Sequence, residues 1–244
     1  MARLARIVLA GLPHHVTHRG NRKQDIFIND ADRRTYLRLL LKYSRARKVR
    51  IWAYALMNNH IHLICVPTIR DSLARMLRDV HGDYAFRFNR RHGASGHLWQ
   101  GRFYSTLLDD AHLVAATRYV ERNPVRAGIV ERAESYAWSS AAGHCGLRRD
   151  PVVARDLPLL AEIPDWREWL HGDELRDGLE RLRSRTRTGR PLGSAEFILD
   201  VEEQLGRRVR PLRPGPRRRI GAAGGRASGP AVRAAIPAVK TRGG

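Results

Sequence analysis

The sequence predicts an α+β fold: a ferredoxin-like (RRM-like) antiparallel sheet with helices on one face, an additional tyrosine-bearing helix, and a basic C-terminal extension. Three observations lead there. Ile51 to Met57 alternates bulky and small residues, and the apolar run His60 to Val66 follows after only Asn58-Asn59, which reads as two strands joined by a tight turn. Apolar residues recur at helical spacing on either side of this pair, at about 31–47 and 71–90. A short strand precedes the first helix and another follows the second. The order strand, helix, strand, strand, helix, strand is the split β-α-β arrangement.

Each element has a local reason. His14 to His18 begins a strand, and a basic turn, Arg19-Gly20-Asn21-Arg22-Lys23, follows it. Asn29, Asp30 and Asp32 are helix-start residues, with Tyr36, Leu37, Leu40, Leu41 and Tyr43 recurring behind them. In the second strand Trp52, Tyr54 and Leu56 share one face, with Ala53 and Ala55 on the other. Asn58-Asn59 suits the left-handed backbone of a tight hairpin. His60 to Val66 is apolar on both faces apart from its histidines, as expected of a central strand, and Pro67 ends it. Leu73, Met76, Leu77, Val80 and Tyr84 define the second helix. A Gly-rich turn, His92 to Gly101, leads to a strand at Phe103 to Leu107. Asp109 or Asp110 caps a further helix running to about Arg122, which Pro124 stops or kinks. With both main helices on one face of the sheet, the other face is left for this extra helix and for a site.

Beyond about Ala142 the pattern is looser. Pro164 to Leu170 and Asp173 to Leu182 read as helical packing segments, Arg181 to Arg190 as a basic linker, and Ser194 as the start of a short helix carrying Phe197, Ile198, Val201 and Leu205. Arg207 to Arg219 is basic and Pro-rich, and the Gly, Ala and Pro content beyond Gly221 reads as a disordered tail.

Charge points to the partner. The chain carries 45 Lys and Arg against 24 Asp and Glu, a formal charge of +21 over 244 residues. From Gly206 to Gly244 there are 11 Lys or Arg and no acidic residue. Such a block stays disordered until a polyanion neutralises it, and nucleic acid is the expected polyanion. Two cysteines, Cys65 and Cys145, make no disulfide framework and no Cys-based zinc site, and fit a reducing cytoplasm. The apolar patch Ile7 to Leu12 is too short for a membrane span, and no export signal is read.

Two pairs of residues carry chemistry. His60 and His62 are two apart on a strand and point to one face, where they are either a pair able to hold one divalent cation or a satisfied core pair. Tyr119 and Asn123 are four apart and share a helix face; Asn123 is either a further oxygen ligand or a helix stop ahead of Pro124. His15, Thr17 and Arg19 share one face of the first strand and either line the same site or serve the fold. Trp99 and Phe103 are either base-stacking residues or core.

Asn58-Asn59-His60-Ile61-His62-Leu63-Ile64 resembles the His-hydrophobic-His motif of HUH nucleases. Arg118-Tyr119-Val120-Glu121-Arg122-Asn123-Pro124-Val125-Arg126-Ala127-Gly128 resembles the tyrosine helix of single-tyrosine transposases. His14 to Asn21, His97-Leu98-Trp99-Gln100-Gly101-Arg102-Phe103 and Trp138-Ser139-Ser140 are further matches, so that the resemblance covers about residues 7–145. It is closest to the REP-associated tyrosine transposase branch, whose C-terminal extension Gly189-Arg190-Pro191-Leu192-Gly193 and the basic stretch behind it also resemble.

The resemblance and the composition together give a domain plan: a catalytic domain over 1–145, a helical connector over 146–185, a basic DNA-recognition extension over 186–220 and a disordered tail over 221–244, the tail being read from composition alone and departing from the family pattern. It implies that His60, His62 and Asn123 hold Mg²⁺ or Mn²⁺ and that Tyr119 is the nucleophile, cutting single-stranded DNA to leave a 5′-phosphotyrosine and a free 3′-hydroxyl. A phenol ionises little at neutral pH, so a cation and nearby arginines are needed to activate it. Arg19, Arg102, Arg118, Arg122, Arg126, Arg190, Arg207 and Arg208 are the expected DNA contacts. The expected partner is single-stranded or hairpin DNA, with no membrane, no small-molecule cofactor, and a monomeric or homodimeric chain. With chemistry confined to the first 123 residues, deletion after about Arg183 is expected to spare the site. Two other functions fit parts of the pattern: a non-catalytic nucleic-acid-binding protein with an RRM-like sheet, and an HUH enzyme of plasmid replication or transfer.

Overall fold

The computed structural model describes residues 6–172 and 176–211; the tail over 221–244 and the end of the basic extension lie outside them. The elements open with β1 (His14–Arg19), α1 (Asp30–Ala46), β2 (Val49–Met57), β3 (His60–Pro67), α2 (Ser72–His92) and β4 (Tyr104–Leu107). The strands pair antiparallel in the order β2-β3-β1-β4, the ferredoxin-like arrangement expected.

Residue alternation assigns the two faces. Ile61, Leu63 and Cys65 of β3 and Val16 of β1 point to one side, where Tyr36 and Leu40 of α1 and Leu73 and Leu77 of α2 bury against them. The start of α1 is stitched to the end of α2. The Asn29 side chain accepts from the Asp32 amide at 3.1 Å, and the fully buried Asp32 carboxylate accepts from the Ile28 amide, from Arg91 at 2.6 Å and from His92 at 3.0 Å. On the other side Ala53, Ala55, Ile64 and Val66 bury against Leu113, Ala116 and Val120 of α3 (Asp110–Glu121). Small alanines on β2 let that helix lie close to the sheet.

Three local expectations are corrected. A bulge between Ile51 and Ala53 turns Trp52 to the α3 side, away from Tyr54, and its indole N–H donates to Asp156 at 3.0 Å. Asn58 and Asn59 are not left-handed; among the described residues the positive-φ positions without glycine's freedom are Arg22, Lys23 and Lys48. The two asparagines serve as anchors instead: Asn58 O accepts from the Ile26 and Phe27 amides, Asn58 Oδ1 from Arg33, and Asn59 O from the Gly20 amide. Gly20 is required there, since a Cβ would lie 2.2 Å from the Gln24 carbonyl oxygen. The helix does break ahead of Pro124, as expected: α3 ends at Glu121 with Arg122 as its C-cap, and Pro124 sits in the first turn of α4 (Asn123–Arg126), where its missing N–H costs nothing. Finally, the stretch read as a linker from Arg181 is helical as far as Thr188.

The remaining elements wrap the sheet. They are α5 (Ala141–His144), α6 (Leu159–Glu162), α7 (Trp166–His171), α8 (Arg176–Thr188) and α9 (Ala195–Leu205). Trp138-Ser139-Ser140 covers the β2 edge, with the Leu56 amide donating to Trp138 O and the Ser140 amide to Tyr54 O. At the opposite edge Leu192 bridges Leu108, and Thr106 Oγ1 donates to Arg190 O at 2.6 Å. Ser194 caps α9, which buries Val201 in a cluster with Ile7, Leu107 and Val209. Among the described residues no helix is long and apolar enough to cross a membrane.

Candidate active site

Strand register places a row of polar side chains on the α3 face. Arg19 lies opposite His60, Thr17 opposite His62, and His15 opposite Ile64. The His60 and His62 rings stand 5.0 Å apart, nearly perpendicular. Each has a partner on Nδ1. His60 Nδ1 bonds Asn59 Oδ1 at 2.7 Å, and the Asn59 amide is oriented by donating Nδ2–H to Lys23 O at 3.2 Å. His62 Nδ1 bonds His15 Nε2 at 2.9 Å, with the two rings stacked. His15 Nδ1 in turn bonds Thr186 Oγ1 of α8 at 2.8 Å.

These rings are neutral. Burial, and then the Arg19 charge, lowers His60 to about 4. Burial lowers His15 to about 3. Burial, aided by His15, His60 and nearby arginines, holds His62 well below the usual imidazole range. Neutral imidazole is the form that ligates cations.

Tyr119 comes from α3. Its ring lies 5.4 Å from His62 and 5.8 Å from His15, edge-on to both. The Arg126 guanidinium sits 4.2 Å from the ring centre and donates to the Tyr119 carbonyl. Arg183 of α8 lies 5.6 Å over the same ring. Tyr36, Tyr43, Tyr54, Tyr84 and Tyr136 all commit their hydroxyls to protein partners, respectively His81, Asp83, Asp150, Ile26 O and Leu56 O. The Tyr119 hydroxyl bonds no described residue. Asn123, one turn further on, is buried, and its side chain bonds no described residue either.

The helix is held from behind by Glu121, which is fully buried. Its carboxylate accepts from Ser140 Oγ at 2.5 Å, His144 Nδ1 at 2.6 Å and Trp166 Nε1 at 2.7 Å. Burial pushes His144 down, but the Glu121 charge and hydrogen bond outweigh it and the imidazole ends raised.

The other predicted residues scatter. Arg19 is exposed at the end of β1, and Arg102 is exposed in the turn before β4. Arg118 lies over Trp169 at 5.6 Å, and Arg122 donates to Gly172 O at 2.5 Å, so both face α7. Arg190 donates to Val209 O, Arg207 to Arg6 O at 3.1 Å, and Arg208 is exposed. Trp99 and Phe103 bury in the α1–α2 layer, Trp99 stacking on His18; they do not share a face with His60. Sequence reasoning missed Asn59, Arg183 and Thr186 as site residues. Asn59 was visible beside the histidines, whereas nothing local marks Thr186. The expectation that deletion after Arg183 spares the site is corrected by the same contact, since Thr186 bonds His15 and is buried.

Residues 9–123 match the family described as transposase, IS200-like. Over these residues the chain is similar to that family. The match takes in the polar row on β1 and β3 together with Tyr119 and Asn123. Among solved structures, this chain is similar to a REP-associated tyrosine transposase bound to a REP hairpin, at 21% identity and TM-score 0.51, over 64% of this chain and 93% of that one. It is also similar to a candidate transposase from Deinococcus radiodurans R1, at 13% identity and TM-score 0.36, over 50% of this chain and 97% of that one. Curated proteins return no match. Transposases break and join DNA, and that is the class of reaction the match points to.

Transposases of this kind use a divalent cation, so the donor set needs testing. Among the described residues no three His, Cys, Asp or Glu side chains form a metal-holding group. His60 and His62 fit as a two-imidazole pair: each has Nδ1 engaged and Nε2 bonded to no described residue. With only two imidazoles, an amide oxygen and water would have to complete the coordination of a divalent cation.

Proposed function

We propose that this IS200-like chain cuts and rejoins single-stranded DNA through Tyr119, with His60, His62 and Asn123 holding Mg²⁺ or Mn²⁺. One observation supports this above the others. The only tyrosine among Tyr36, Tyr43, Tyr54, Tyr84, Tyr119 and Tyr136 without a described hydroxyl partner stands beside the His62 ring, at 5.4 Å. A bound cation would polarise the scissile phosphate and stabilise charge on the phenolic oxygen. The chain's own residues do the rest. The Tyr119 oxygen bonds phosphorus as the bond to the 3′ oxygen breaks; the phenol proton passes to water, and the 3′ oxygen takes a proton from water and leaves as a hydroxyl. The phosphodiester energy is kept in the tyrosine ester, so a second 3′-hydroxyl can displace Tyr119 and restore the strand. Arg126 and Arg183, placed against the Tyr119 ring, supply positive charge for the phosphate.

Hairpin-forming repeats are the proposed substrate. The fold is shared with a transposase whose structure holds a REP hairpin, and Gly189 to Gly193 with the basic stretch beyond fits the same branch. The 186–220 extension is proposed to grip DNA, with Arg19, Arg102, Arg118, Arg122, Arg126, Arg190, Arg207 and Arg208 as candidate contacts.

The test is to incubate the protein with single-stranded hairpins from the DNA flanking its gene, with and without Mn²⁺. A Mn²⁺-dependent covalent adduct mapped to Tyr119 is expected, and His60→Ala with His62→Ala should abolish it. Full activity of that double variant would overturn the metal assignment. A non-catalytic binder would give affinity with no adduct under any condition.

A further inference from the structure

A histidine that ligates through one ring nitrogen is set by what the other nitrogen does. His60 and His62 therefore pose the question of where their protons sit, and each answer can be traced through fixed donors and acceptors.

For His60 the trace is short. Asn59 presents Oδ1 to Nδ1 because its Nδ2–H is committed to the Lys23 carbonyl. A carbonyl oxygen only accepts, so Nδ1 of His60 carries the proton and Nε2 is bare.

For His62 the trace crosses the molecule. The Thr186 hydroxyl donates back along α8 to Leu182 O at 2.8 Å. Its oxygen then accepts, so His15 Nδ1 carries a proton. His15 is left with a bare Nε2, which accepts from His62 Nδ1–H across 2.9 Å. His62 Nε2 is bare in consequence. The opposite run would require Thr186 to abandon Leu182 for His15. It would end with a proton on His62 Nε2, where no described residue accepts it.

We infer that Asn59 and the Thr186–His15 pair lock His60 and His62 in the Nδ1–H tautomer, so that both present a bare Nε2 to one cation. Thr186 is thereby a positioning residue for a site whose two histidines lie more than a hundred residues earlier. The purpose of the lock is the cation of the proposed function, and to that extent the inference rests on that reading. The proton positions stand independently of it. The Leu182 side chain, 2% exposed, and Thr186, 3% exposed, pack this turn of α8 against the sheet, so the hydroxyl keeps its place without bound DNA.

The experiment reads protons before it reads metal. Full-length protein is labelled with ¹⁵N-histidine, kept metal-free, and examined by long-range ¹H–¹⁵N correlation. His15, His60 and His62 are assigned by single His→Gln variants. The expected result is Nδ1–H for all three rings. An Nε2–H tautomer at His60 or His62 in the wild-type protein overturns the proposal, and that measurement needs no variant to fold. Thr186→Val keeps the shape and removes the hydroxyl. It should release His15 and His62 into a mixture of tautomers and weaken Mn²⁺ binding, read by electron paramagnetic resonance, by about 10–100-fold. Thr186→Ser should restore both readouts. Unchanged tautomers in Thr186→Val would refute the relay. If the wild-type tautomers are as stated but Mn²⁺ does not bind, the relay stands and the metal reading fails. If Mn²⁺ binds tightly to rings of the other tautomer, the metal reading stands and the relay fails.

Discussion

Replacing Glu121 with Gln should destabilise the protein by an amount its surroundings let us work out. The carboxylate is fully buried and takes three donors: Ser140 and His144 on one oxygen, Trp166 on the other. Gln has the same size but one acceptor oxygen. Whichever way its amide turns, an NH₂ faces at least one donor. The charge partner of His144 is lost as well. Removing one member of a buried pair costs about 3–5 kcal/mol. For a chain of this length each kcal/mol moves Tm by about 2–4 °C, so Tm should fall by roughly 6–20 °C. The loss should depend on pH. Because the folded pKa of His144 is raised, its contribution is fully present below the unfolded value of about 6.5 and fades as pH rises through the folded value. The gap between wild type and Glu121→Gln should therefore be widest on the acid side and narrow with rising pH. Calorimetry of wild type, Glu121→Gln, His144→Gln and the double variant across neutral pH checks this. A Tm loss under about 3 °C, with no pH dependence and additive single effects, would refute the reasoning.

Three further outcomes are expected. Tyr119→Phe should leave Tm nearly unchanged, since its hydroxyl bonds no described residue, and should eliminate the covalent protein–DNA species; an adduct persisting on another tyrosine, found by mass spectrometry, would show Tyr119 is not the nucleophile. Truncation after Pro211 removes eight Lys and Arg and should weaken hairpin binding, flattening its salt dependence by about 0.7–0.9 in log–log slope per lost phosphate contact; an unchanged slope in a salt titration would deny the segment a DNA role. Truncation after Arg183 should instead lower Tm sharply, because it removes the buried Thr186, Leu192, Val201 and Val209; a wild-type melting curve would contradict the packing of α8 and α9.

What the sequence showed of the fold followed physical regularity. Period-2 and period-3.6 patterning carried the β1-to-β4 order, because in those elements one face is apolar and the other is not. It failed where one residue broke the period. The bulge at Ile51/Ala53 turns Trp52 across the sheet, and alternation alone cannot show an inserted residue. The asparagines before His60 were visible, but turn chemistry was the wrong reason for them. Their side chains and carbonyls tie down the loop from Gly20 to Phe27, a tertiary use that local propensity does not encode. In the candidate site, the spacing of His60 with His62 and of Tyr119 with Asn123 could be read because the first pair lies within one strand and the second is one turn apart across the α3–α4 junction. Thr186 could not. A lone threonine among arginines has no periodicity to mark it, and its meaning comes only from meeting His15 171 positions away.

That separation also has a consequence in time. A chain made at about 5–20 residues per second needs roughly 10–35 s to pass from His15 to Thr186. During that interval the four strands and α3 can already exist, since every pairing among them is complete by Glu121. The last hydrogen bond of the His62 chain cannot. A growing polypeptide thus carries its tyrosine and its two histidines well before the brace beneath them arrives. Ribosome stalling or early termination between α3 and α8 would yield a sheet with its histidine protons unassigned.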